Sequence, residues 1–199
     1  MRARSLRICA AILLCALGSE GAAAQEPWGL PQLMAGLGQV KSAAGQFTER
    51  KTMRMLTQPL ISSGRLAYVA PSHIEKVTVS PMPERLVMDG DRVTIVSGPN
   101  NDTHTFSVAD YPQIGGLIEG IRATLAGDLP TLERIYTTRL SGTQAAWDLQ
   151  LVPKDEDLAR FVKRIDFRGD GYRIRTIDTE GSDGDRSEMT IVEDGRNAR

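Results

Sequence analysis

The chain has 199 residues, 24 basic against 25 acidic, with 41% hydrophobic and 5% aromatic residues. So even a charge, with no stretch gathering the basic residues, argues against a nucleic-acid partner and against standing adhesion to anionic lipid head groups. The two cysteines, Cys9 and Cys15, both fall in the first 24 residues, leaving no thiol beyond them for a disulfide or a Cys-ligated metal.

Arg2, Arg4 and Arg7 precede an apolar run, Ile8 to Leu17, and small residues end in Ala22-Ala23-Ala24. This is the layout of a secretory signal peptide: a basic end, an apolar core and an Ala-x-Ala site for signal peptidase. The apolar run is about half of what a bilayer span needs. Leu14 precedes Cys15, where lipidation would need a small residue. Residues 1–24 are therefore expected to be cleaved, and the mature protein to begin at Gln25 in the periplasm. Three of the basic residues and one acidic residue go with them, leaving 21 basic against 24 acidic, a net charge of −3. The roughly 175 residues that remain suit one domain, which at that size buries on the order of 70% of its unfolded surface. Residues 25–195 are read as that domain, and 196–199 as a disordered tail.

The first periodic segment places Leu30, Leu33, Met34, Leu37 and Val40 on one helical face, with Pro31 in the first turn. Strand-like segments follow at Gln46 to Leu56, Ser63 to Ala70 and Ile74 to Ser80. Arg85 to Met88 and Val93 to Val96 flank Asp89-Gly90-Asp91, a short-hairpin signal, and Thr103 to Val108 supplies another strand. Asp110 is the expected cap of a second helix, with Pro112 just inside it. Ile114, Leu117, Ile118, Ile121 and Leu125 form its apolar stripe, and Gly127 its stop. Gly115, Gly116 and Gly120 weaken it, each by up to about 1 kcal/mol relative to Ala. Such a helix either packs closely on a sheet or is free to shift.

Leu129 to Arg134 reads as a turn. Ile135 to Leu140 and Ala146 to Val152 read as paired strands, and Glu156 to Val162 as a brief helix behind Asp155. Arg164 to Arg168, Tyr172 to Thr179 and Ser187 to Val192 close the chain. Ten or eleven strands with two or three helices predict an α+β fold: a strongly curved antiparallel sheet, a half-barrel, with helices covering its concave face.

Catalytic signals are poor. Neither a Gly-x-Ser-x-Gly elbow, a phosphate-binding glycine loop, a dinucleotide fingerprint nor His-Glu-x-x-His occurs. His73 and His104 are far apart in sequence and read as surface or half-buried polar residues. Asp183 and Asp185 beside Gly184 fit a hairpin turn better than a calcium loop, whose ligand ladder is missing. The expectation is a non-enzyme with no cofactor and no metal.

A strongly curved sheet of this size has a concave face too wide for its own side chains to fill. The helical stripe and alternating strand residues would then line an apolar hollow. These are Leu117, Ile121 and Leu125, with Phe47, Leu66, Tyr68, Ile74, Leu86, Met88, Trp147, Leu149 and Leu151. Flexible methionine thioethers suit a surface that repacks around acyl chains. Periodicity by itself favours the plainer reading, an ordinary filled core.

Phe47-Thr48-Glu49, Gly64-Arg65-Leu66-Ala67-Tyr68-Val69-Ala70-Pro71, Pro81 and Leu86-Val87-Met88-Asp89-Gly90-Asp91 occur in that order. With Trp147 to Pro153 they resemble the LolA family of periplasmic outer-membrane lipoprotein carriers. The resemblance covers most of the chain beyond residue 24 and implies an eleven-stranded half-barrel closed by helices over a cavity for acyl chains. It also implies a monomer that meets an inner-membrane donor and an outer-membrane acceptor only transiently, with lipoprotein or another lipid or acylated product as cargo. Ala70 stands where the family usually has an arginine that helps hold the lid shut, and Lys76 where it has a tryptophan. These departures imply different lid control or a different cargo, such as a glycolipid or an acylated pigment. The alternatives are a lipid-sensing or interaction domain of the same fold, as in RseB, and, last, a small periplasmic hydrolase. RseB carries a further C-terminal domain, for which this chain is expected to have no room.

Overall fold

Alternating apolar and polar side chains put successive residues on opposite faces of a strand, and eleven such strands join here into one open antiparallel sheet. The structure, a computed structural model, describes residues 27–194, apart from the side chains of 112–114. The expected signal peptide and the tail at 196–199 lie outside the described residues. The strands are β1 (Ser42–Thr52), β2 (Leu60–Val69), β3 (His73–Ser80), β4 (Glu84–Asp89), β5 (Arg92–Ser97) and β6 (Asp102–Ser107). They continue with β7 (Tyr136–Thr143), β8 (Ala146–Pro153), β9 (Val162–Asp170), β10 (Arg173–Gly181) and β11 (Arg186–Glu193). Their order across the sheet is β6-β5-β4-β3-β2-β1-β11-β10-β9-β8-β7. The first and last strands meet at its centre, with Phe47 opposite Ile191.

Among the described residues, four helices accompany the sheet: α1 (Leu30–Leu37), α2 (Pro112–Ala126), α3 (Leu129–Ile135) and α4 (Glu156–Ala159). They pack against the half of the concave face built by β7 to β10. Leu33, Met34 and Leu37 of α1, Ala123 of α2, Leu132 of α3 and Leu158 of α4 are buried with Tyr136, Trp147, Leu149, Leu151, Ile165 and Phe167 of the strands. This half is solid.

Close approach explains the glycines of α2. A Cβ at Gly116 would stand 2.4 Å from Leu158 Cδ2, and one at Gly120 would stand 2.7 Å from Tyr136 Cε2. Of the two roles open from sequence, close packing is the one observed. Gly127 ends the helix at φ +68°, a left-handed conformation that glycine adopts without steric cost.

Several boundaries differ from expectation. Leu129 to Arg134 is helix α3 rather than a turn: Asp128 accepts from the backbone N–H of Thr131 at 3.1 Å, and Pro130 sits in the first turn. Asp110 does not cap α2. It closes a 3-10 turn from Val108 to Asp110, where its carboxylate accepts from the backbone N–H of Ser107, and Tyr111 takes the N-cap position of α2. The first strand begins at Ser42 and ends at Thr52, because the backbone and guanidinium of Arg54 turn aside to Asp185 and Asp183. Helix α1 stops at Leu37, with Gly38 as its cap, and α4 spans one turn only. Asp183 also accepts from the Asp185 backbone at 3.0 Å, as the hairpin reading requires.

Candidate functional site

The other half of the concave face, β1 to β5 with β10 and β11, is not filled. Between it and α2 lies a cavity of about 300 Å³ with an almost entirely apolar lining. Ile118, Ile121 and Leu125 form its roof on α2, and Leu37 at the end of α1 and Val40 just beyond the helix add to it. The floor comes from register. Met88 pairs with Ile74 and with Val93, Ile74 with Tyr68, and Tyr68 with Ala43, so these side chains share one face.

Seven of the residues expected to line a hollow do so: Leu66, Tyr68, Ile74, Leu86, Met88, Ile121 and Leu125. The other five do not. Trp147, Leu149 and Leu151 lie on β8, where the helices close over the sheet, and all three are packed into the core. Leu117, half-buried on α2, packs against that same core and does not line the cavity. Phe47 is buried one cross-strand row beyond the cavity, beneath the ammonium of Lys76, 4.9 Å from the ring centroid.

Sequence reasoning missed Ile177, Met189 and Ile191 as lining residues. Their alternation along β10 and β11 was readable. Their place beside β1 follows only from the pairing of the first strand with the last.

Polar groups in and around this space are few. Tyr68 lines the cavity, and its buried hydroxyl meets no hydrogen-bond partner. Burial pushes its pKa up, against a smaller opposing effect of Arg122. That arginine forks onto Glu119 at 2.8 and 2.6 Å within α2 and stands 3.7 Å from Asp128. Where the resemblance led to a strand arginine, Ala70 N–H donates to the Lys41 carbonyl at 2.9 Å.

Lys76 lies opposite Leu66 on the cavity face, and its ammonium reaches Glu49 at 2.5 Å. The path crosses Gly64, which pairs with both Thr78 and Phe47 and has no side chain to obstruct it. Glu49 is buried and also accepts from Ser187 at 2.6 Å and Ser62 at 3.3 Å, with Lys51 3.4 Å away. Burial works to raise its pKa, but the hydrogen bonds from Lys76 and Ser187 and the two lysine charges prevail and lower it. His73 pairs with Asp89 across β3 and β4 at 2.5 Å on the surface, and His104 is exposed on β6. Among the described residues, no group of three or more His, Cys, Asp or Glu is placed to hold a metal.

An open eleven-stranded half-barrel, solid on one side and hollow beneath a helix on the other, is the class of protein defined here. The chain belongs to the LolA-like outer membrane lipoprotein carrier family, whose model matches residues 22–198. It is similar in structure to a LolA superfamily protein from Nitrosomonas europaea, with 9% identity, a TM-score of 0.44, and coverage of 84% of this chain and 93% of that one. An outer-membrane lipoprotein-sorting protein domain from Vibrio parahaemolyticus gives 10% identity, a TM-score of 0.45, and coverage of 85% and 92%. MucB of Pseudomonas aeruginosa, solved with MucA, gives 12%, 0.43, 81% and 55%. No curated protein matches the chain. Family membership rests on the match over residues 22–198.

Proposed function

We propose that this protein is an exported carrier that shelters acyl chains of a lipoprotein or other lipid between the inner and outer membranes. Cleavage after Ala24 would release it into the periplasm as one domain, residues 25–195. The observation that carries the reading is the apolar cavity of about 300 Å³ under α2. Each methylene left in water costs about 0.8 kcal/mol, so hydrocarbon crossing an aqueous space needs such a host. No bond need be made or broken. A donor at the inner membrane and an acceptor at the outer membrane would be transient partners, and tighter binding by the acceptor would supply direction. Among the described residues, no helix is long and apolar enough to cross a membrane.

The deciding experiment is titration of the purified mature protein with a hydrophobic fluorescent probe, together with mass spectrometry of lipid that co-purifies from its own periplasm. Saturable probe binding displaced by fatty-acyl compounds is expected. A protein that neither binds the probe nor carries lipid would sink the proposal.

A further inference from the structure

Resting on the carrier reading, we infer that the cargo presents one hydrocarbon chain ending in an anionic head group, a fatty-acid carboxylate, and that Lys76 is its counter-charge. Among the described residues lining the cavity, Lys76 and Glu193 alone carry charge. They lie in one cross-strand row, Lys76 opposite Leu66, Leu66 opposite Gly45 and Gly45 opposite Glu193. Three strand spacings separate them, roughly 14 Å. Lys76 therefore stands at one end of this row and Glu193, close enough to Arg175 for their charges to interact, at the other, with apolar side chains between. A chain bearing a negative group is drawn to the Lys76 end.

Pairing with Glu49 does not use up the lysine. Glu49 is also held by Lys51, Ser62 and Ser187, so two ammonium groups surround one carboxylate and a positive charge is left over. One of the three Lys76 donors goes to Glu49; an incoming carboxylate can take another. An apolar surrounding strengthens such a bond relative to water. The cavity of about 300 Å³ is at the small end of the roughly 300–1,000 Å³ spanned by ligand pockets, which suits one chain better than several.

The test compares dodecanoate with methyl dodecanoate, equal in chain length and different in charge, by displacement of the fluorescent probe. The protein should prefer dodecanoate by roughly tenfold or more, the worth of a charge-assisted hydrogen bond. Lys76→Met should abolish that preference while methyl dodecanoate still binds, and Lys76→Arg should keep it. The double variant Lys76→Met with Glu49→Gln repeats the test without stranding a buried carboxylate. Equal binding of both compounds by the unaltered protein, or a preference that survives Lys76→Met, overturns the inference and leaves the carrier reading standing. Binding of neither compound overturns both.

Discussion

The ring of Tyr136 occupies the space that a side chain at Gly120 would need, with a Cβ there coming 2.7 Å from Cε2. The same tyrosine donates its hydroxyl to the Gly116 carbonyl at 2.8 Å. One residue of β7 thus fixes how close α2 comes to the sheet, and so how tall the cavity on the helix's other side can be.

Two glycines of that helix should respond oppositely to alanine. Helix propensity favours Ala by up to about 1 kcal/mol, but Tyr136 is fully buried and has nowhere to move. Gly120→Ala is expected to lower stability by about 1–3 kcal/mol through overpacking. At Gly115 the nearest atom would be a half-buried methyl, Val108 Cγ1, at 3.3 Å, so Gly115→Ala should be neutral or stabilising by a few tenths of a kcal/mol. Urea denaturation of the two variants gives the comparison, and equal destabilisation would contradict it.

The two buried tyrosines make a second opposed pair. Tyr136→Phe breaks a buried hydrogen bond to the Gly116 carbonyl, which keeps its place in the helix ladder, at a cost of about 1 kcal/mol. Tyr68→Phe removes a buried hydroxyl that has no partner and should raise the stability of the ligand-free protein by about 1 kcal/mol. Thermal melts of both variants without ligand test the difference in sign.

Neighbouring residues of α2 separate the core from the cavity. Leu117 packs on the buried core, whereas Ile118 lines the cavity. Leu117→Glu should cost about 1–3 kcal/mol, because it sets a charge at a half-buried site against packed apolar groups. Ile118→Glu should abolish probe binding with a much smaller loss of stability. Melting temperature and probe affinity measured on the same samples decide this, and parallel losses in both variants would mean that α2 has no distinct cavity face.

Glu49 gives a pH signature. Its folded pKa lies below its ordinary value of 4.5, so the stability it supplies is complete above that value and is lost as pH falls through the lower folded one. At neutral pH, Glu49→Gln should therefore be the less stable protein by about 2–3 kcal/mol. The gap should narrow steadily below pH 4.5. Denaturant titrations at pH 7, 5, 4 and 3 would follow it, and a gap that widens toward acid would refute the assignment.

Much of the strand layout was legible because period-two alternation is a local property. Leu66, Tyr68 and Ile74 were readable as inward-facing on that ground alone, and their floor positions follow from it. The same alternation is equally good for Trp147, Leu149 and Leu151, which is why sequence reasoning put them in the hollow too. Nothing local distinguishes an inward residue under a packed helix from one under open space. Helix α3 was missed for a similar reason: Asp128 and Pro130 signal a turn and a helix start alike, and the buried fit of Leu132 decides between them.

The sequence by itself determined the strand periodicity, the apolar stripe of α2 and the family likeness, all of which depend on residues near one another along the chain. Only the tertiary structure decided that β1 pairs with β11, that the helices crowd over β7 to β10, and that Lys76 reaches Glu49 across Gly64. Those facts depend on residues brought together from distant parts of the chain, and a void is defined by what fails to pack there. Its position is therefore a property of the folded whole, written in no single segment.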